Sequence, residues 1–213
     1  MKCLFLCLAA MAAVVSAPAA IITNIYNTGS AIIPDGNLSG WADTRTVSGN
    51  TGLTVESVTV TLNISGGWNG DLYGYLFHVD ENSSSTSVVL LNRVGTGTYP
   101  TDGYGEAGLN NVTLIDTSPL TSIHNYGGSG SAASALGSRN YNSAGGTLNT
   151  TFDGLKVNGS WSLFLADISS GEISQVTGWT LTIETVPEPT TWALLGFGTI
   201  LGGWHFTRRQ KSA

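Results

Sequence analysis

The central part of this 213-residue sequence holds two histidines, His78 and His124, and several acids on glycine-rich turns. Such groups could act as a general base beside a serine, as a carboxylate pair, or as cation ligands. Neither histidine has a glycine-rich setting of serine-protease type, and no Gly-x-Ser-x-Gly nucleophile elbow occurs. A triad assembled in space needs no local motif, so among this many Ser and Asp residues a hydrolase is not excluded. His78 is in phase with Leu72 and Leu76 and reads as a hydrogen-bonded structural group, whereas His124 follows Pro119 in a loop. The sequence thus assigns no catalytic residue, and the expectation is a protein that is not an enzyme.

Cation binding is the sharper chemistry. Ca²⁺ takes six to eight oxygens, and Asp71, Asp167 and Glu172 are the loop carboxylates that could supply some of them. EF-hand and RTX spacings are absent. The competing reading is that Asp71 and Asp167 open and close strands at turns, where a carboxylate accepts backbone N–H bonds. No other cofactor is expected. Four tyrosines, Tyr99, Tyr104, Tyr126 and Tyr141, lie in the Gly/Ser-rich stretch 95–146. Their rings could stack on sugars, or pin long loops onto the domain in place of leucine. Trp68, Trp161 and Trp179 are expected in the core, with Trp41 unassigned.

The elements that position these groups are strands. Gly (28), Ser (23) and Thr (26) dominate, and charged residues are only 10%, against about 25% in average soluble proteins. Residues 58–64 alternate apolar with Thr or Asn, while Leu53 and Val55 are out of phase, which predicts a bulge near Glu56-Ser57. Residues 72–79 are apolar or aromatic on both faces, as in a central strand. Further strands are predicted over 87–94, 112–115, 161–168 and 179–183, and helical spacing is confined to the two ends. The expected class is all-β, an antiparallel jelly-roll-like β-sandwich flanked by an N-terminal signal helix and a C-terminal transmembrane helix. Residues 20–185 carry four basic and thirteen acidic side chains, a net −9. That balance argues against nucleic acid, whose phosphates demand basic clusters. Six Asn-x-Ser/Thr sequons (Asn37, Asn63, Asn82, Asn111, Asn149, Asn158) accompany the high Asn, Ser and Thr content, and no glycosylation is inferred from them.

Both ends read as addresses. Residues 1–19 contain Lys2, an apolar run over 3–15 and small residues after it, the pattern of a secretory signal cut by signal peptidase. Cys3 and Cys7 both lie there, leaving no cysteine in the mature chain. At the other end Val186-Pro187-Glu188-Pro189 leads into an apolar run over 192–206 and then Arg208-Arg209. The prolines are expected to break the preceding strand and leave an extended spacer. The run is short but can span with Trp and Arg anchors, its basic end cytoplasmic.

This order of Pro187-Glu188-Pro189, apolar helix and Arg208-Arg209 resembles the PEP-CTERM sorting signal of Gram-negative bacteria. The resemblance implies cutting near the motif by exosortase, a membrane-embedded protease, after transient anchoring in the inner membrane. The destination it implies is the cell surface or the extracellular matrix. Residues 58–76, VTVTLNISGGWNGDLYGYL, resemble the strand-turn-strand of the P/Homo B domain, the jelly-roll module beside the catalytic domain of proprotein convertases. Gly159-Ser160-Trp161-Ser162-Leu163, Ala166-Asp167 and Gly178-Trp179-Thr180-Leu181 resemble that family's closing strands. Three segments follow: a signal peptide at 1–19, a P/Homo B-like domain at 20–185 and a sorting tail at 186–213. The function implied is that of an exported, exosortase-sorted envelope or matrix protein with a non-catalytic module, its partner an exopolysaccharide or a protein. The alternative is an accessory module of a separate secreted subtilisin-like protease.

Overall fold

The computed structural model describes residues 20–97, 103–117, 119–128 and 134–187. Within them nine strands form: β1 (Ala20–Ile32), β2 (Trp41–Val47), β3 (Leu53–Gly66), β4 (Leu72–Asp80), β5 (Ser85–Asn92), β6 (Gly108–Leu114), β7 (Asn140–Tyr141), β8 (Gly159–Asp167) and β9 (Ser174–Pro187). They make two sheets, one ordered β1-β9-β3-β6-β7 and the other β2-β8-β4-β5. Every ladder is antiparallel except the short β6–β7 pair.

Alternation in β3 decides which face meets the core. Val58, Val60, Leu62 and Ile64 are buried, while Thr59, Thr61 and Asn63 point outward. The predicted bulge is present: Val55 pairs with Thr185 and Ser57 with Glu184, so Glu56 is the extra residue and Val55 returns to the core. β4 is central, between β8 and β5. Its inward residues include Leu72, Leu76 and His78, and its outward ones are Tyr73, Tyr75, Phe77 and Val79. The inner faces of both sheets share one core, with Leu62, Leu181 and Ile183 from one and Leu76, Trp161 and Leu163 from the other. Burial of each such side chain stabilises the fold by about 1.5–3 kcal/mol.

β1 and β2 were not among the predicted strands, for a physical reason. Both are edge strands, and their polarity runs against the pattern of a half-buried strand. On β1, Ile21 and Ile25 face outward, while the partly buried phase mixes Asn24 and Thr28 with Ile22 and Tyr26. On β2 the partly buried phase carries Asp43 and Arg45. These are satisfied locally: Trp179 Nε1 donates to Asp43 at 2.8 Å, Arg45 pairs with Asp43 at 2.8 Å, and its guanidinium lies 5.1 Å from the Tyr26 ring centre.

Two further expectations change. The prolines do not end the last strand at residue 185: β9 continues through Val186 and Pro187, paired with Thr54 and Leu53. Among the described residues β1 begins at Ala20, opposite Thr185, and Pro187 pairs with Leu53 of β3. Helix is also present between the ends, as α1 (Leu148–Phe152) and two short 3-10 turns, Asn69–Asp71 and Ile123–Asn125. Asp116 caps α1 by accepting from Asn149 N at 2.7 Å. The predicted signal helix and transmembrane helix lie outside the described residues. Among the described residues no helix is long and apolar enough to cross a membrane.

Candidate functional site

One end of the two sheets is built from loops that interlock through glycines. Gly66 and Gly67 have φ of +69° and +61° and turn the chain after β3 into the 3-10 turn Asn69–Asp71. A Cβ on Gly70 would lie 2.7 Å from the Gly103 backbone, so this loop and the 103–106 segment approach as only glycines allow. Asn69 N and Gly70 N donate across that contact to Glu106 O and Tyr104 O at 3.1 and 2.8 Å.

Asp71 and Asp167 meet here, since Leu72 pairs with Asp167 and Ile168 N donates to Asp71 O at 2.9 Å. Asp167 is wholly buried, and its Oδ2 accepts from Ser174 Oγ at 3.1 Å, while Oδ1 has no partner among the described residues. Burial pushes its carboxyl up to about 6, against the pull of the Ser174 hydrogen bond, with Asp71 and Asp35 adding to the rise. Asp35, which the sequence reading passed over, accepts from Gly171 N at 3.1 Å. Glu172 is exposed on the same loop and is not drawn in. Among the described residues no three His, Cys, Asp or Glu side chains form a group that could hold a metal ion. The structure therefore joins Asp71 to Asp167 but does not assemble Asp71, Asp167 and Glu172 as a cation cage. Asp167 acts as a turn-closing carboxylate.

The tyrosines cluster beside this end. Tyr104 and Tyr141 are buried, and Tyr126 lies between them with ring centres 4.4 and 6.1 Å away. Tyr126 Oη donates to Glu106 Oε2 at 2.6 Å, and burial, reinforced by Glu106, holds its phenol well above the usual range. A Cβ at Gly95 or Gly128 would fall 2.6 or 2.7 Å from the Tyr104 ring, so main chain covers that ring on both sides. Of the two roles open to the tyrosines, the buried rings of Tyr104 and Tyr141 match the pinning of loops rather than ligand stacking, and Tyr99 lies outside the described residues. Exposed aromatic surface is elsewhere. Trp68, expected in the core, is 41% exposed, turned outward by the left-handed Gly66-Gly67 pair. Ile32, Leu38 and Ile173 are exposed on the same group of loops. The outer face of the β4 sheet carries Tyr73, Tyr75 and Phe164, with Tyr75 stacked on Phe164 at 4.8 Å. Strict alternation in β4 would have located Tyr73 and Tyr75; nothing in sequence marks Trp68.

The histidines are structural. His78 is wholly buried, stacked on Trp161 at 3.7 Å, with its ring nitrogens 3.1 and 2.8 Å from Ser160 O and Lys156 O. Burial holds its pKa below the usual value. His124 Nε2 lies 3.1 Å from Thr96 O and ties down the 95–97 turn.

At the opposite end β9 runs out of the domain. Thr185 is buried and its hydroxyl donates to Ala20 O at 3.1 Å, while Thr54 Oγ1 donates to Val186 O at 3.2 Å. Over this stretch the chain matches the PEP-CTERM protein-sorting motif, residues 185–209. The motif implies an exported protein sorted by exosortase, anchored through its C-terminal signal before display at the cell surface. No curated protein matches the chain. Among solved structures, a serine protease of Aeromonas sobria is similar at 18% identity, over 79% of this chain and 27% of that protease, with a TM-score of 0.43. The chain thus spans about a quarter of that protease's length. Of the sorting residues Pro187 is held in β9, and Glu188, Pro189, Arg208 and Arg209 lie outside the described residues.

Proposed function

We propose that the chain is an exosortase-sorted protein of the cell envelope or extracellular matrix, whose domain is a non-catalytic P/Homo B-like jelly roll that binds or scaffolds. The observation that carries this reading is where the sorting motif begins. It starts inside β9, so the matched region overlaps the last strand of the domain. The jelly-roll part is supported by the pairing of β1 with β9, β2 with β8, β3 with β6 and β4 with β5. Those four pairs are successive rungs of one long folded hairpin. The P/Homo B part rests on the residue likeness over 58–76 and 159–181, which are here β3, its glycine turn and β4, then β8 and most of β9.

The sheet sets the side of the domain from which β9 leaves. β9 ends, and β1 and β3 begin, at the tail side, whereas Trp68, Ile173 and the interlocking loops lie at the far side. The anchored protein therefore presents its Trp68 end away from the membrane, as the surface for a polysaccharide or protein partner. The sorting part is tested by replacing Pro187, Glu188 and Pro189 together and fractionating cells. The variant is expected to stay in the membrane fraction. Release equal to that of the parent chain overturns the proposal.

A further inference from the structure

We propose that the β1 edge is a self-association site: residues 21–27 pair antiparallel with the same residues of a second copy, joining the five-stranded sheets of two chains into one.

An open sheet edge is a row of backbone donors and acceptors ready for another strand. Folded chains block such rows with short strands, covering segments, prolines, bulges or charges. The two sheets here have four edges, β1 and β7 in one and β2 and β5 in the other. Three of them carry such a device. β7 is only two residues long. β5 is covered, with Ala144 N and Gly145 N donating to Leu90 O and Val89 O at 3.0 and 3.1 Å. β2 places the charged pair Asp43 and Arg45 on its partly buried phase. Over residues 21–27 β1 has none of these. The stretch holds no proline, glycine or charged residue, and its register against β9 is unbroken until the shift between Asn27 and Ala31. Among the described residues β9 is its one strand partner. At about 3.4 Å per residue the stretch runs roughly 24 Å, longer than a typical strand.

Its side chains suit a copy of themselves. Ile21 and Ile25 point outward on one face, 68% and 72% exposed. An antiparallel pair centred on Thr23 brings Ile21 of each chain opposite Ile25 of the other, two β-branched cross-strand pairs about a two-fold axis. Charge selects the same edge. Residues 20–185 carry a net −9, so two copies repel over most of their surface, whereas the paired β1 strands set no charged side chain against another.

Sedimentation velocity of the detergent-solubilised full chain over a rising concentration series tests this. The parent chain is expected to pass from monomer to dimer, and a monomer throughout overturns the proposal. Ile21→Lys combined with Ile25→Lys sets like charges across the pair and is expected to raise the dissociation constant by about tenfold or more, with the urea midpoint unmoved. Ile173→Lys, also at an exposed position but on the loop end, is expected to leave that constant unchanged. A dimer that survives the paired substitution, or one weakened equally by Ile173→Lys, overturns the proposal. Hydrogen exchange reads the backbone directly and needs no variant. The amides of residues 21–27 are expected to gain protection as the concentration rises, and equal exchange there at both ends of the series overturns the pairing.

Discussion

The two ends of this domain are closed by different contacts. At the tail side the core is plugged by rings: His78 stacks on Trp161, and Phe152 from α1 packs 5.2 Å from the same indole. The buried side chains of Asp80 and Asn158 lie at the same end, and strands β1, β3 and β9 run to its rim, β3 bulged at Glu56. At the far side the closure is polar. Asp167, Asp71 and Asn69 are buried among loops that touch backbone to backbone. The difference teaches where each kind of closure is useful. A chain that leaves a sheet under a membrane anchor is secured by ladders and apolar packing, which tolerate no loose segment. The loop end that exposes Trp68 is secured by local hydrogen bonds instead, leaving its outer side chains free of core duty.

The strongest way to break the tail-side closure is Trp161→Ala. It removes the stacking partner of a buried histidine, the contact with Phe152 and the Nε1 bond to Val157 O at 3.2 Å. The expected cost is about 3–5 kcal/mol, read from the urea midpoint. The matching lesion at the loop end is Gly70→Ala, whose Cβ would meet the Gly103 and Tyr104 backbone at 2.7–2.8 Å. Its expected cost is about 2–4 kcal/mol. Gly137→Ala, with nothing within 4 Å of the new atom, is the control and is expected to leave the midpoint unmoved. If Gly70→Ala proves as mild as that control, the loops are not locked by close approach and the contrast between the ends collapses.

Much of the tail-side closure was legible in the sequence. Period-two alternation identifies β3, an apolar or aromatic run on both faces identifies β4, the phase shift before residue 58 locates the bulge at Glu56, and the phase of His78 with Leu72 and Leu76 marks it as structural. The sorting motif was legible because three features occur in a fixed order. The loop end was not. Asp35 meets Asp71 and Asp167 only through the fold, since a long stretch of chain separates it from each, and Glu172 looked as suitable as either. Trp68 has the composition of a core residue, and only the sign of φ at Gly66 and Gly67 turns it outward. Tyr104 was indistinguishable from a surface aromatic because glycine main chain at Gly95 and Gly128 packs on it, which leaves no hydrophobic pattern. The ending of β9 was misjudged for a related reason. Proline is tolerated in a strand where its side of the ladder needs no N–H, and sequence does not say that Pro187 lies opposite Leu53 of β3.

The most discriminating test of the contrast is pH, because the two ends carry groups shifted in opposite senses. His78 is held below its ordinary 6.5 by burial, so the folded chain resists protonation there while the unfolded chain accepts it. Its contribution to stability is complete above pH 6.5 and is lost as pH falls below that value. Asp167 is raised from 3.8 to about 6, so between those values the folded chain keeps a proton that the unfolded chain gives up. Its contribution is complete below pH 3.8 and is lost as pH rises to about 6, a swing of at most about 3 kcal/mol. Between pH 4 and 6 the loop end is therefore expected to gain as the tail side weakens. Asp167→Asn keeps the acceptor for Ser174 and removes the titration. Against the parent chain, the stability advantage of this variant is expected to shrink as pH is lowered from 7 to 4, when urea midpoints are compared at each pH. His78→Gln removes the other titration, and its deficit relative to the parent should be largest at pH 7 and smaller at pH 5. Parallel pH profiles for the parent chain and both variants would mean that neither end is closed by the group assigned to it.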